Sequence, residues 1–461
     1  MKGELRKGSI GIRESMFQGI AGSAPAGAAV ATLTGAAYFS RGSLPLTALI
    51  AFLVVMLNAV IISRISKSVA GAGGYYAYVK HGFGARPALF AGFFYIFYQI
   101  MALAFIAISV AIFVPAILSG VFGITLPFYS WPLLLVAVLA FGFYISYSGI
   151  RESTRYTMYM AIFEIVIISS MGLFMIISRP SINTISVFTP KYALGGFGGV
   201  GIGVLLMYTA FAGFGASTPL GEESVSPKKT ISMSVIVSVL ILGAFFIFSS
   251  YFLTVSWGPS LMASYANPQN LAPGVTLIGS YLGPIAAIIV TVLFINSLMT
   301  GTVVITNSTS RVMMSMGRDG IIPRSLSNVH AKRKTPYVAA GIITLVAFLI
   351  SFAGILIMGG FTAFIMAATA ATLGVLFVHG MINSSLPSID LKTHGRFKIE
   401  NLIMSVSSIL ILGFIFYSTF LSIDVAVIVG SALFGVWVAF SFVYTLLSGK
   451  FGNMQPEAEM E

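Results

Sequence analysis

A single acidic residue, Glu164, falls well inside one of the long apolar runs of this sequence. A carboxyl group at mid-membrane depth costs about 2.5–3.5 kcal/mol on insertion scales, so it is kept where it binds an ion, carries a proton or bonds across helices. Around it stand Ile162, Phe163, Ile165, Val166, Ile167, Ile168, Leu173, Phe174, Ile176 and Ile177. At roughly −0.3 to −0.6 kcal/mol each, these outweigh the penalty, so the run can still insert. Glu164 must then face other helices. A run further on supplies Asn296, Ser297 and Thr300. These could ligate Na⁺ with Glu164, hydrogen-bond it, or serve as ordinary polar contacts between helices.

Two clusters of glycine, proline and small residues offer a second kind of chemistry. The first is Gly19-Ile-Ala-Gly22-Ser23-Ala24-Pro25-Ala26-Gly27, and the second runs from Tyr208 to Pro219. Proline removes a main-chain donor and clashes with the preceding turn. A helix broken there would expose N–H groups at a positive half-helix end and free carbonyls at a negative one. Such a pair suits a zwitterion, with a carboxylate at one end and an ammonium at the other. The plainer reading is close helix packing through small residues. Tyr95, Tyr98 and Gln99 on a further run could reach a ligand between the clusters or simply pack.

These residues need elements to hold them. The chain has 461 residues, 57% hydrophobic and only 8% charged, with mean hydropathy +0.98. Soluble domains carry about 25% charged residues, so an ordinary water-soluble enzyme is excluded. Spanning helices need about 20 apolar residues each. Twelve candidate spans follow, at 14–38, 44–64, 88–119, 128–148, 157–178, 198–220, 231–256, 275–305, 336–357, 360–382, 400–421 and 424–447. The two Gly/Pro clusters then sit in spans one and six, as an inverted 5+5 repeat requires.

Charge supports this layout. The net charge is +12, and the chain has 25 Lys and Arg. With the N-terminus inside and twelve crossings, only Arg41, Arg179 and Lys191 fall outside; the other 22 lie inside. Both termini are therefore expected in the cytoplasm. The basic excess points to a membrane surface rather than to nucleic acid. Cysteine is absent, which excludes disulfides and thiol chemistry. The four histidines are scattered without metal-ligand spacing, and His81, His330 and His394 fall in predicted loops. The acidic end, Glu457, Glu459 and Glu461, reads as a solvated tail.

Four stretches resemble the amino acid permeases of the amino acid–polyamine–organocation (APC) superfamily. They are GSAPAG in span one, AGAGGYYAYVKHGFG at 70–84, FAGFGASTPLGEESVSPKKT at 211–230, and SRVMMSMGRDGIIPRSLSNVHAKRKTPYVA at 310–339. The resemblance implies an all-α polytopic membrane protein forming a single transporter domain over 1–461. Residues 14–178 would form the first five-helix repeat, 198–382 the second, inverted one, and 400–447 two C-terminal helices. Helices one and six would be broken. Carried over position by position, Gly22, Ser23, Ala24 and Gly27 would bind a substrate carboxylate. The backbone around Tyr208, Thr209, Ala210 and Phe211 would bind its ammonium. Phe211 or Phe214 would gate or pack on it, with Gly213 in the same break. Ala-Pro-Ala in span one departs from the family pattern.

The resemblance also implies a function: secondary active uptake of an amino acid or amine across the cytoplasmic membrane by alternating access. In relatives without sodium, a span-five lysine can take part in proton coupling. Glu164 falls at or near that place with reversed charge, so it is expected to carry the coupling proton. No cofactor is expected beyond H⁺, with Na⁺ as the other coupling ion. An exchanger, a polyamine permease, a sodium symporter and a transporter-like nutrient sensor are the rival readings. A membrane enzyme would need a clustered catalytic set, which this sequence lacks, and no catalytic residue is expected. Neither substrate identity nor oligomeric state is legible.

Overall fold

The computed structural model describes residues 4–266, 272–420 and 424–447. The expected acidic tail lies outside them, as do Lys2 and Lys450. Among the described residues the chain is helical, with one isolated parallel bridge between Ile10 and Ser224. Its main helices are α1 (Ile12–Gly22), α2 (Leu33–Ser40), α3 (Leu44–Ser66), α4 (Tyr75–Phe83), α5 (Ala85–Phe122), α6 (Ser130–Ser148) and α7 (Ile150–Ser178). After a loop of short 3-10 turns come α8 (Phe197–Phe211), α9 (Pro227–Trp257), α10 (Pro284–Arg318), α11 (Tyr337–Met358), α12 (Gly360–His394), α13 (Ile399–Thr419) and α14 (Val425–Leu447).

Eleven stretches among the described residues are long and apolar enough to cross a membrane. The first, Ile12–Ser66, covers 55 residues and contains α1, α2 and α3, so the first two predicted spans lie within it. Each later predicted span falls on a helix. Three boundaries move furthest. Predicted span eight ended at 305, but α10 continues to Arg318. Its polar stretch Thr306–Arg311 is buried against protein and needs no loop. α10 also begins late, at Pro284 after Gly283, and a separate short helix, Pro273–Leu282, takes the preceding residues. Predicted span ten ended at 382, yet α12 runs to His394.

The loop-free joints use glycine where the chain needs a positive φ. Gly149 (φ 135°) separates α6 from α7, and Gly359 (φ 79°) separates α11 from α12. The core is built from α1, α5, α10 and α12, whose side chains are mostly buried. The outer helices expose large apolar side chains, such as Leu133 on α6, Phe163 on α7, Leu349 on α11 and Phe414 on α13. An apolar exterior of this extent belongs in lipid. In lipid the buried polar groups can be served only by other protein groups, and among the described residues α10 carries more of them than any other helix.

Candidate functional site

The Pro25 cluster breaks its helix as its chemistry requires. Pro25 has no N–H, and the residue before a proline avoids the right-handed helical region. Ala24 accordingly sits at φ 44°, ψ 70°, a left-handed conformation that costs an alanine about 1–2 kcal/mol. The last turn of α1 tightens before it: Ser23 N–H bonds Ile20 O at 3.1 Å and Ala24 N–H bonds Ala21 O at 3.0 Å. A new helical turn starts at Pro25, and Ala28–Thr32 then forms a π-helical turn.

The second cluster behaves differently. Its backbone does not open. α8 passes at Ala212 into a 12-residue 3-10 segment, Ala212–Glu223, far longer than the three or four residues usual for this geometry. Ala212 N–H donates to Thr209 O, so it passes over the Tyr208 carbonyl that a continued α-helix would have used. The two clusters touch. A Cβ on Gly213 would overlap the main chain of Gly22 and Ser23, and one on Gly22 would lie 3.1 Å from Gly213 O. Gly213→Ala must therefore push the two segments apart. The uptake that the resemblance implies is expected to fall at least tenfold in this variant with protein still in the membrane, measured as initial uptake per mole of protein.

Between the two segments lies a cavity. Gly22, Ser23, Ala24 and Gly27 line one wall; Thr209, Ala210 and Gly213 line another; Tyr98 and Gln99 reach it from α5. Ala28, Ala31, Phe105, Ile106, Leu298 and Val375 add apolar surface, and no charged residue is among its lining. Gln99 Nε2 donates to Tyr95 Oη and to Ser308 Oγ, both at 3.0 Å, which leaves Oε1 as the end of the amide outside these bonds. Thr209 and Thr372 hydroxyls meet at 2.5 Å and tie α8 to α12.

Four expected ligand residues do not line this cavity. Tyr95 is held by Gln99. Tyr208 bonds His379 Nδ1 at 2.5 Å. Phe211 packs edge-on to Phe246 and Phe214 rests against His379, with ring centroids 5.0 and 5.4 Å apart. The Phe211 and Phe214 rings lie in protein packing and are not among the cavity's lining residues.

Glu164 lies behind the same wall, fully buried. Its Oε2 accepts from Ser297 Oγ at 2.6 Å and from Ala26 N–H at 3.3 Å. Oε1 accepts from Asn296 Nδ2 at 3.0 Å, and Asn296 Oδ1 accepts in turn from Tyr156 Oη at 2.8 Å. One carboxyl group thereby joins α7, α10 and the new helical turn that starts at Pro25. Gly27, one residue past Ala26, faces the cavity. Thr300 does not join this set: its hydroxyl turns back to Ser297 O at 2.8 Å. Among the described residues no group of three His, Cys, Asp or Glu could hold a metal.

A model for the family described as "Amino acid permease" matches residues 14–449. The chain belongs to the amino acid permease family. Its relatives include the branched-chain amino acid permease BcaP of Bacillus subtilis (strain 168), 28% identical over 360 residues, 72% of each chain. BcaP of Lactococcus lactis subsp. cremoris (strain MG1363) is 24% identical over 377 residues, 78% of this chain and 77% of the relative. The chloroplastic cationic amino acid transporter 7 of Arabidopsis thaliana is 25% identical over 416 residues, 84% of this chain and 66% of the relative.

One end of the permease's bundle carries a group of ion pairs. Glu223, where the 3-10 segment ends, and Arg311 on α10 are both fully buried. Arg311 Nε donates to Glu223 Oε2 at 2.5 Å, its second amino group to Oε1 at 3.1 Å, and its first to Asn307 O at 2.8 Å. The Glu223 carbonyl also accepts Ser9 N–H at 2.8 Å and Ile10 N–H at 3.0 Å. Nearby, Arg318 pairs with Glu222 at 3.0 Å, and Asp319 takes Lys80 at 2.7 Å and Tyr76 Oη at 2.5 Å.

Sequence reasoning missed two residues of this permease. Arg311 was counted as a loop charge because span eight was ended too early. His379 was passed over although it is the one histidine outside the predicted loops, and that position was the available signal.

Proposed function

We propose that this permease is a secondary active transporter that takes up neutral, apolar amino acids together with protons, by alternating access at the cavity between the two irregular segments. The observation that carries this reading is the cavity itself. Its wall joins the positive end of the helical turn that starts at Pro25 to the negative end of α8, and its lining offers no charge. An amino acid's carboxylate and ammonium match those ends. A small apolar side chain suits Phe105, Ile106, Leu298 and Val375, whereas a cationic one would find no anionic partner on the wall. Two of the relatives are named for branched-chain amino acids, which fits the same choice.

Proton coupling rests on Glu164. A serine hydroxyl both donates and accepts, so Ser297 can serve the carboxylate and, turned round, the neutral acid. Sodium fits less well, because Ala26 and Asn296 present N–H groups to the oxygens that a cation would need. The membrane layout follows the same reading. A 55-residue helical stretch would measure roughly 80 Å, far beyond a bilayer core of about 30 Å. Arg41 (φ 45°) and the 3-10 turn Arg41–Ser43 interrupt it. The stretch therefore crosses twice, which makes twelve spans. Residues 14–178 and 198–382 are then inverted repeats, 400–447 are the two added helices, and both termini lie in the cytoplasm.

The test is counterflow in proteoliposomes loaded with unlabelled isoleucine. External labelled isoleucine, leucine and valine are expected to enter transiently above equilibrium, and labelled arginine and putrescine are not. Arginine entering as fast as isoleucine would overturn the substrate class.

A further inference from the structure

Beneath the cavity lies a polar cluster that the binding of an amino acid does not use. His379 on α12 is fully buried, as are Tyr208 on α8, Phe214 in the 3-10 segment and Tyr75 at the start of α4. Tyr208 Oη meets His379 Nδ1 at 2.5 Å, and Tyr75 Oη meets His379 Nε2 at 3.3 Å. A neutral imidazole has one donor and one acceptor nitrogen, so it can serve both tyrosines at once, in either tautomer. Neither a carboxylate nor an ammonium could pair with two hydroxyls in this way without leaving a buried charge.

The cluster grips the 3-10 segment on one side. Phe214 rests on the imidazole ring, with centroids 5.4 Å apart. Tyr75 Oη occupies the space where Gly215 would carry a Cβ, and Gly74 packs on Thr218 and Pro219. On the other side α1 abuts the segment through Gly19 and Gly22. The Tyr208–His379–Tyr75 bonds fix the imidazole under Phe214 and the Tyr75 ring against Gly215, so they hold in place the surface on which the segment rests. Its far end is Glu223, which is ion-paired with Arg311 of α10. His379 lies one turn past Val375 of the cavity lining, on the same helix.

We propose that His379 is a positioning residue of the transport cycle: by bridging Tyr208 and Tyr75 it pins the 3-10 segment in the closed arrangement, and its bonds are broken and remade each time the ion-paired end opens. The inference rests on the alternating-access reading above, but its test reads closure of the protein and not flux. The chain has no cysteine, so Ser217→Cys, at a buried position of the segment, supplies a single reporter thiol. Its reaction rate with a water-soluble maleimide is measured on the solubilised full-length protein.

His379→Phe keeps an aromatic ring and loses both bonds. It is expected to raise the thiol reaction rate at least tenfold, with isoleucine binding changed less than threefold. His379→Gln, which retains one donor and one acceptor, is expected to reverse at least half of that rise. Tyr75→Phe, which removes one bond with little change of shape, is expected to raise the rate in the same direction, and reads the proposal even if His379→Phe does not fold. Unchanged thiol reactivity in the variants that fold, or a rise that His379→Gln does not lessen, overturns the proposal. If isoleucine does not bind at all but the thiol rates follow the expected order, the substrate assignment fails and the role of His379 stands.

Discussion

Glu164→Gln is expected to abolish pH-driven accumulation of substrate while exchange continues. A gradient of one pH unit supplies about 1.4 kcal/mol per proton, so one proton per amino acid supports up to about tenfold accumulation in the native protein. Glutamine keeps the size of the side chain but cannot take up or release the proton, so the final ratio should fall to about one. Counterflow, which needs no net proton movement, should persist at reduced rate. The reduction has a physical source. Ala26, Ser297 and Asn296 all point donors at this carboxyl group, and a carboxamide has only one oxygen to receive them. An unmet buried donor costs about 1–3 kcal/mol. A variant that still accumulates tenfold would remove Glu164 from the coupling mechanism.

Arg311→Met is expected to be the most destabilising single change among those considered. Removing one member of a buried ion pair leaves the other charge uncompensated, at a cost of about 3–5 kcal/mol. Here the orphan would be Glu223, at 0% side-chain exposure. Glu223→Gln should cost less, because Arg311 also bonds the Asn307 carbonyl. The double variant Glu223→Gln with Arg311→Met removes both charges and should regain much of the loss, since replacing a whole buried pair is often close to neutral. Melting temperature in detergent measures all three. The cycle should show strong coupling, with the double variant more stable than Arg311→Met alone. A double variant as unstable as the sum of the two singles would mean that the pair acts as two independent contacts.

The positions of the helices were legible because a bilayer leaves few alternatives to a run of about 20 apolar residues. The break at Ala24 was legible for a similar reason: Pro25 lacks a donor in any context. The second irregular segment was located but its form was not. Glycines at 213 and 215 permit either an opened backbone or a tightened one. The choice is made by Gly22 and Tyr75, which press on the segment from distant parts of the chain. Asn296 and Ser297 met Glu164, whereas Thr300, one turn further along, bonded its own helix instead, as threonine hydroxyls often do. Asn307, further along the same helix, bonds Ser146 and Ser153. The Tyr208–His379 bond joins residues 171 positions apart, and no local pattern encodes it. Arg311 was misplaced because a polar run inside a helix looks like a loop until its protein partners are known.

The most direct measurement is uptake of labelled isoleucine into sodium-free proteoliposomes under an imposed pH gradient, acid outside. The account predicts accumulation above equilibrium, lost when a protonophore is added and absent with Glu164→Gln. Equilibration without accumulation, together with concentrative uptake when a sodium gradient replaces the proton gradient, would contradict it.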